Sequence, residues 1–335
     1  SRLAHSVCID ANGGLLLPGL HDHHIHFLAY AAARNSLVCG PQQMASAEQF
    51  GQLLASHNVR HNKQWLRCIG YHPSVAGEID RHWLDRYIPD RPVRVQHRGG
   101  RLWVLNSRAL SALGPDSPPG LEQVNGQSTG RLYEADQWLR DNVPPQTLDI
   151  AGASRQLASY GITGITDTTP SNGLNEWQLF SEQQRTGALL QRIRMMGSAA
   201  LTGCQDDGLM NIGELKVHLL ESQLPDVDLL TSNIQTAHAS GRSVAIHCVT
   251  LTELVFALYC LEVAGTKLGD RIEHASVCPP EQIQVIQRLG LRVITQPHFI
   301  HERGEQYLRD VDAQDLPWLY RAKSFLEADI PLAGG

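Results

Sequence analysis

Eight short apolar or alternating runs, many of them followed by a helical pattern that closes on glycine, constrain this chain more than any other feature. They are residues 15–20, 164–168, 192–197, 215–219, 244–248, 271–275, 292–296 and 330–333. Helical periodicity fills the gaps at 228–239, closed by Ser240-Gly241, and at 252–264, closed by Gly265. At 279–289 a proline enters early and Gly290 follows the last turn, the usual asymmetry of helix ends. Strands separated by helices pair in parallel, and eight of them predict an α/β fold of the (β/α)8 TIM-like barrel class. Such a barrel needs only about 250 residues. The surplus of this 335-residue chain falls mainly between the first and second strands, as an insertion at about 60–145. Residues 65–71 and 93–97 read as extra strands there, 113–130 is rich in Pro, Gly and Ser, and the Pro-Gly clusters at 114–120 and 142–146 mark loops.

Composition narrows the function classes. With 28 Lys and Arg against 34 Asp and Glu, a net charge of −6 and no basic run, the chain has no electrostatic footprint for a polyanion, and nucleic acid is not an expected partner. The apolar stretch 27–33 is stopped by Arg34, far short of the ~20 residues that span a bilayer, so no membrane partner is expected either. A cationic start followed by an apolar segment, the mark of a secretory signal, is not seen. Seven cysteines at irregular spacing, without Cys-x-x-Cys, suit buried thiols of a reducing compartment, and the expected location is the cytoplasm.

Histidine is the unusual residue. None of the sixteen lies between His97 and His218, whereas His21, His23, His24 and His26 crowd into six positions. Strand alternation would set His24 and His26 on one face with Asp22, and His21, His23 and Ile25 on the other. Two neutral imidazoles spaced in this way at the C-terminal end of a barrel strand can share a metal ion, at the end where barrel enzymes place their sites. Three later strands each carry a candidate ligand near the same end: Lys216, His247 and His274. Glu214, Lys216 and His218 alternate with apolar Leu215 and Val217, which aims Lys216 into the barrel. Burial there would lower its pKa and free the amine, and reaction with CO2 would give a carbamate able to bridge two metals. His97, Arg98, His218 and His298 are candidate substrate contacts. His5, His57, His61, His72, His82 and His238 have no such context, and Cys248 reads as a small buried hydrophobe.

The segments 18–26 (Pro-Gly-Leu-His-Asp-His-His-Ile-His), 106–110 (Asn-Ser-Arg-Ala-Leu), 245–248 (Ala-Ile-His-Cys), 270–275 (Asp-Arg-Ile-Glu-His-Ala) and 331–335 (Pro-Leu-Ala-Gly-Gly) together resemble the amidohydrolase superfamily, in its YtcJ-like (amidohydrolase family 3) branch. The resemblance implies one or two divalent ions, zinc foremost, with His24 and His26 on one ion, His247 and His274 on the other, and a carboxylated Lys216 bridging. It also implies a small flanking β-sandwich built from both chain ends, of which residues 1–14 would be a remnant beside a barrel domain over 15–335. Members normally continue past the Gly-Gly of strand eight into an Asp that handles protons. No catalytic residue is therefore assigned within this sequence, the expected Asp lying beyond Gly335, and a piece of a longer polypeptide is the expectation.

The expected activity is metal-dependent hydrolysis of a carbon–nitrogen bond other than a peptide bond, an amide-like group on a small-molecule substrate, through a metal-activated hydroxide. The alternatives are a mononuclear-metal deaminase and a catalytically silent metal-binding fragment. A homodimer is compatible with the resemblance.

Overall fold

The computed structural model describes residues 10, 12–58, 64–114, 118–144 and 148–335. The chain divides into two compact units, one of residues 1–27 and 150–335 and the other Leu28–Asp149. The second unit includes the stretch at 60–145 read as an insertion. Most of the expected sandwich remnant at 1–14, together with His5, His61 and Cys8, lies outside the described residues.

In chain order the strands are β1 (Leu20–Ile25), β2 (Leu37–Val38), β3 (Leu66–Tyr71), β4 (Val93–His97), β5 (Leu102–Leu105), β6 (Leu121–Val124), β7 (Gln127–Tyr133), β8 (Ile162–Asp167), β9 (Arg192–Gly197), β10 (Met210–His218), β11 (Val244–Cys248), β12 (Arg271–His274), β13 (Arg292–Thr295) and β14 (Leu332–Gly334). The first unit holds one eight-stranded sheet in the order β1-β8-β9-β10-β11-β12-β13-β14, every pairing parallel. Its two edges approach: a Cβ built on Gly335 would stand 2.5 Å from that of His24. The fold is the expected α/β barrel, nearly closed.

Seven of the eight expected strands stand within a few residues of their predicted places, and the first is shifted. Leu15, Leu16 and Leu17, read as strand from their apolarity, are 83, 93 and 65% exposed, and the strand is the polar run Leu20–Ile25 instead. Apolar continuity marks a strand buried on both faces; this one faces a lumen lined with polar groups, and its histidines hid it.

The hydrophobic core lies outside the strands. Val244, Ile246, Ile272 and Val293 point away from the lumen and pack on Leu230 and Ile234 of helix Val227–Ala239, Leu254 and Leu258 of helix Leu251–Ala264, Ile286 of helix Pro280–Arg288, and Phe325. Truncating one such side chain, Phe325→Ala for instance, costs about 3–5 kcal/mol. The sequence explains the helix ends as well. Thr250 caps helix Leu251–Ala264 in a capping box with Glu253, whose carboxylate also accepts from Val249 N and Glu221 N and so ties down two loops at the top of the barrel. No helix of the described residues is long and apolar enough to cross a membrane. Cys39, Cys68, Cys248, Cys260 and Cys278 are buried free thiols, and Cys204 is a partly exposed one.

The second unit is a six-stranded sheet, β2-β3-β4-β5-β7-β6, parallel through β4 and antiparallel beyond it. Its β6–β7 hairpin begins just after the loop expected at 114–120, where no strand was expected. Val124-Asn125-Gly126-Gln127 was the available signal: Asn125 (φ 52°) and Gly126 (φ 76°) both adopt the left-handed conformation that a two-residue hairpin turn requires. Gly130 (φ 84°) has a second constraint, because a Cβ there would strike the Leu105 carbonyl oxygen and lie 2.8 Å from Arg81 Cβ. Gly126→Ala, which meets nothing, should cost about 1–2 kcal/mol of stability from left-handed strain alone. Gly130→Ala should cost clearly more in the same urea titration, and equal losses would disprove the close approach.

Candidate active site

Parallel pairing places register partners on one face, so Lys216 and Ala245, Ala245 and Arg271, and the row His218, His247 and Glu273 all point into the barrel. Two histidines reach the same space only because the backbone departs from ideal strand geometry. His274 is the register partner of Cys248, a core residue, and simple alternation would turn it toward the helices. Instead His274 (φ 69°) and Ala275 (φ 45°) are both left-handed, a conformation that costs a non-glycine residue about 1–3 kcal/mol. The turn sets the His274 ring 4.6 Å from His247 and 4.6 Å from His24.

The second departure lies in β1. Asp22 pairs with Ile165 and Ile25 with Asp167, three steps against two, so one extra residue is inserted between them. His21, before the bulge, lies tilted against His23 at 4.5 Å and bonds Thr166 Oγ1 at 2.9 Å. Within the bulge, His24 reaches Glu273, and beyond it His26 lies 5.5 Å from His24. The expectation that His21 and His23 face away from His24 is therefore incorrect: the bulge resets the phase, and all four surround the lumen or its mouth. A bulge carries no fixed sequence signal, which is why alternation failed here.

A row of imidazoles results, His26–His24–His274–His247–His218, with His218 and His247 at 4.4 Å. Several rings have Nδ1 engaged from outside. His24 Nδ1 is 2.5 Å from Glu273 Oε2, His274 Nδ1 is 2.6 Å from Gln296 Oε1, and His26 Nδ1 is 3.0 Å from Thr169 Oγ1. A proton on Nδ1 of His24 and His274, the tautomer that these acceptors require, leaves each Nε2 lone pair free. Burial, aided by the neighbouring imidazoles and Lys216, lowers His26 to about 4 and His274 to about 3, and pushes His247 far below the ordinary range. These three rings are neutral at pH 7.

Beneath them sits Glu273, with no exposed surface. Burial alone would raise its pKa, but Lys216 at 3.9 Å, His24 and Arg271 at 2.5 Å hold it ionised and below the usual carboxylate range. Arg271 extends the network to the His23 carbonyl at 3.0 Å. Sequence reasoning missed Glu273 and Arg271, although their two-residue spacing across Ile272 was the signal for a pair facing inward. Gln296 was missed too. Lys216 is the least satisfied member: its Nζ is buried without a hydrogen-bond partner, and burial lowers its pKa to about 8.

Asp167, at the end of β8, belongs to the scaffold. Its carboxylate accepts from Phe27 N, Thr169 N and Asn172 Nδ2, fixing the chain just beyond β1. His298 opens helix His298–Asp310 and packs on Phe299, separate from the imidazole row. His97 and Arg98 belong to the second unit, where His97 ends β4 and accepts from Gly99 N. Among the described residues no three His, Cys, Asp or Glu side chains already stand as a metal-ligand set. His26, His247 and His274 provide neutral nitrogen donors beside the Lys216 amine, and neighbouring rings of the row are 4.4–5.5 Å apart.

Comparison with known proteins agrees with this architecture. The family model described as the amidohydrolase family (Amidohydro_3) matches residues 7–335. YtcJ of Bacillus subtilis (strain 168), provisionally named an amidohydrolase, is 24% identical over 93% of this chain, which spans 65% of the YtcJ length. The N-substituted formamide deformylase of Arthrobacter pascens is 29% identical over 38% of this chain and 26% of its own. Among solved structures, an uncharacterized metal-dependent hydrolase from Pyrococcus horikoshii OT3 superimposes with a TM-score of 0.73 at 19% identity, covering 95% of this chain and 70% of that one. Its counterpart from Pyrococcus furiosus gives 0.70 at 20% identity, covering 95% and 72%. With the family model matched over nearly its whole length, the chain belongs to the amidohydrolase family.

Proposed function

We propose that this chain carries the centre of a metal-dependent hydrolase for carbon–nitrogen bonds other than peptide bonds, acting on an amide-like small molecule. The observation that carries this reading is Lys216, a buried amine without a hydrogen-bond partner, near His247 and His274, whose rings are held neutral. Neutral imidazole and free amine are the protonation states that metal binding needs. His24, His26, His247 and His274 would hold one or two divalent ions, zinc foremost, with Lys216 as a bridging carbamate. An ion bound there supplies Lewis acidity toward a carbonyl group and toward water. The name of the Arthrobacter pascens relative, a deformylase of N-substituted formamides, supports the bond class.

The chain's own residues prepare the site. Glu273 and Gln296 orient His24 and His274 through Nδ1, as outer partners of metal-ligating histidines do. Carbamate formation adds CO2 to the neutral Lys216 amine and releases one proton, and a pKa near 8 leaves part of the amine neutral at pH 7. Arg271 then remains as the counter-ion of Glu273. His218, packed against His247, would be a substrate contact in this reading. His97, Arg98 and His298 are kept as proposed substrate contacts on sequence grounds alone.

The metal, the lysine modification and the acid stability each test the reading. Elemental analysis of protein purified without added metal should find about one or two divalent ions per chain, and His247→Ala should lower that content. Chelation should abolish hydrolysis of N-acyl and N-formyl amines, and zinc should restore it. Unchanged turnover after complete metal removal would refute the proposal.

Lys216→Ala should lose the bridged ion and, in protein equilibrated with 13C-bicarbonate, the carbamate resonance. An unaltered metal content in that variant would favour the deaminase alternative.

The third test is acid stability of the chelated protein. His26, His247 and His274 have folded pKa values below the unfolded 6.5, so between pH 6.5 and about 4 the unfolded chain binds more protons. Stability should therefore be complete above pH 6.5 and fall on acidification, by up to about 1.4 kcal/mol per pH unit for each ring. His26→Asn should flatten the slope of urea-derived stability against pH by one ring's share, and an unchanged slope would contradict the depressed pKa.

A further inference from the structure

One face of the sheet in the second unit packs on helices, and the other carries a pair of like charges without counter-ions. Leu66, Cys68, Val93 and Val95 point to the side where Phe50 and Leu54 of helix Ala47–Ser56 and Leu84 of helix Arg81–Tyr87 complete a core. Alternation sends Arg67, Arg94 and Gln96 to the opposite side. Arg67 and Arg94 are register partners on β3 and β4, and Gln96 is paired with Trp103 of β5. Two guanidinium groups therefore stand side by side, and the Trp103 ring lies 5.5 Å from the first and 5.1 Å from the second. The same indole packs with Leu132 and with Leu139 of helix Asp136–Asn142.

The hydrogen bonding of the pair is incomplete. Arg67 donates from Nη1 to Ser36 Oγ at 3.2 Å and from Nη2 to Gln96 Oε1 at 3.1 Å, both neutral acceptors. Arg94 donates to no acceptor among the described residues, and its Nε is buried without a partner. Nη1 and Nη2 of Arg94 are not closed off in this way, so the open donors of the site are these two. Among the described residues neither arginine forms an ion pair. The carboxylate whose field reaches both is Asp136, and it is engaged with Trp103 Nε1 at 3.0 Å. Two cations against one anion leave a surplus of one positive charge.

Such an arrangement is costly by itself. Burial lowers the pKa of both guanidinium groups, that of Arg94 to about 10, where Arg67 beside it adds to the fall. Both remain charged at pH 7. The Trp103 ring offsets part of the cost through its contact with the cations, but it offers no hydrogen-bond acceptor in the ring plane and no counter-charge. Charges withdrawn from water are ordinarily paired, and the planar fork of a guanidinium matches the oxygens of a carboxylate or phosphate.

We propose that Arg67 and Arg94 form a binding site for an oxyanion, the carboxylate or phosphate group of a small molecule. Arg94 supplies the open Nη donors, Arg67 supplies the second charge, held in place by Ser36 and Gln96, and Trp103 supports both guanidinium groups. All of these residues belong to the second unit and none to the imidazole row, so the site does not rest on the proposed metal centre.

The test titrates the intact protein with inorganic phosphate and, separately, with acetate, at an ionic strength held constant with sodium chloride. Binding is followed by calorimetry and by the indole resonances of 15N-tryptophan-labelled protein. At least one of the two anions should bind saturably and shift the Trp103 indole, identified as the resonance lost in Trp103→Phe, and the anion that binds names the group. Arg94→Met should weaken that binding about tenfold or more, the order expected for loss of a charged hydrogen bond. The substitution breaks no hydrogen bond and relieves a like-charge contact, so the Tm of the anion-free protein should not fall. His247→Ala should bind the anion as the parent does, whereas an anion held by a metal ion would be lost with the ion. No saturable binding of either anion, an unmoved Trp103 resonance, full affinity in Arg94→Met, or loss of binding in His247→Ala would each overturn the proposal.

Discussion

The carboxylate of Glu273 is the constraint on which the rest of the first unit depends. It is an ionised group with no exposed surface, and an isolated buried charge is among the most expensive things a protein can contain. Its partners come from three strands: His24 in the bulge of β1, Lys216 on β10, and Arg271 two residues back on β12. Removing one partner from such a set typically costs 3–5 kcal/mol, because the remaining charge is left uncompensated. The requirement therefore fixes more than one residue. It needs β1 close to β12 across the lumen, which means a curled sheet, and it needs Lys216 inside, which sets the phase of β10.

A barrel can carry this load because its apolar and polar tasks are divided between the two faces of the strands. The outward faces of β11, β12 and β13 meet the helices in a continuous hydrophobic layer, and that layer supplies the stability. The inward faces hold Arg194 with Glu214, Arg271 with Glu273, and the imidazoles. The lumen can then accept features that weaken a structure: two consecutive left-handed residues at His274 and Ala275, neutralised histidines, and an amine without a hydrogen bond. Such costs concentrate at functional sites and are offset elsewhere.

This division explains what the sequence made legible. Each outward face leaves an apolar run, and seven barrel strands were readable within a few residues. The exception, β1, has a run of histidines where apolar residues would be expected, and the apolar signal lies upstream at Leu15–Leu17. The site was legible as a set of residue types at strand ends: His24, His26, Lys216, His247 and His274. Its geometry was not. The bulge between Asp22 and Ile25 and the turn at His274 are tertiary outcomes, stable only when Glu273, Gln296 and Thr169 are there to receive the rings. Glu273 and Arg271 were overlooked because a charged pair within a short strand reads as solvent-facing until the strand is known to line a lumen.

The charge balance of the lumen bears on the proposed chemistry. With Lys216 as an ammonium, Arg271 and Lys216 outweigh Glu273 by one positive charge, and the imidazoles add none while they stay neutral. A dication entering that field is repelled. As a carbamate, Lys216 becomes negative, and the same three groups sum to one negative charge. The conversion would remove a cation, add an anionic oxygen donor and reverse the field, all at a residue whose nitrogen closes no hydrogen bond. Glu273 participates in both states. Beside the ammonium it stabilises the charged lysine, and beside the carbamate it becomes a like charge held in place by Arg271. The pKa of about 8 at Lys216 measures this competition, with burial favouring the free amine and Glu273 opposing it. An ion bound between the imidazoles would tip the balance toward the carbamate, so metal loading and lysine modification are expected to be mutually reinforcing.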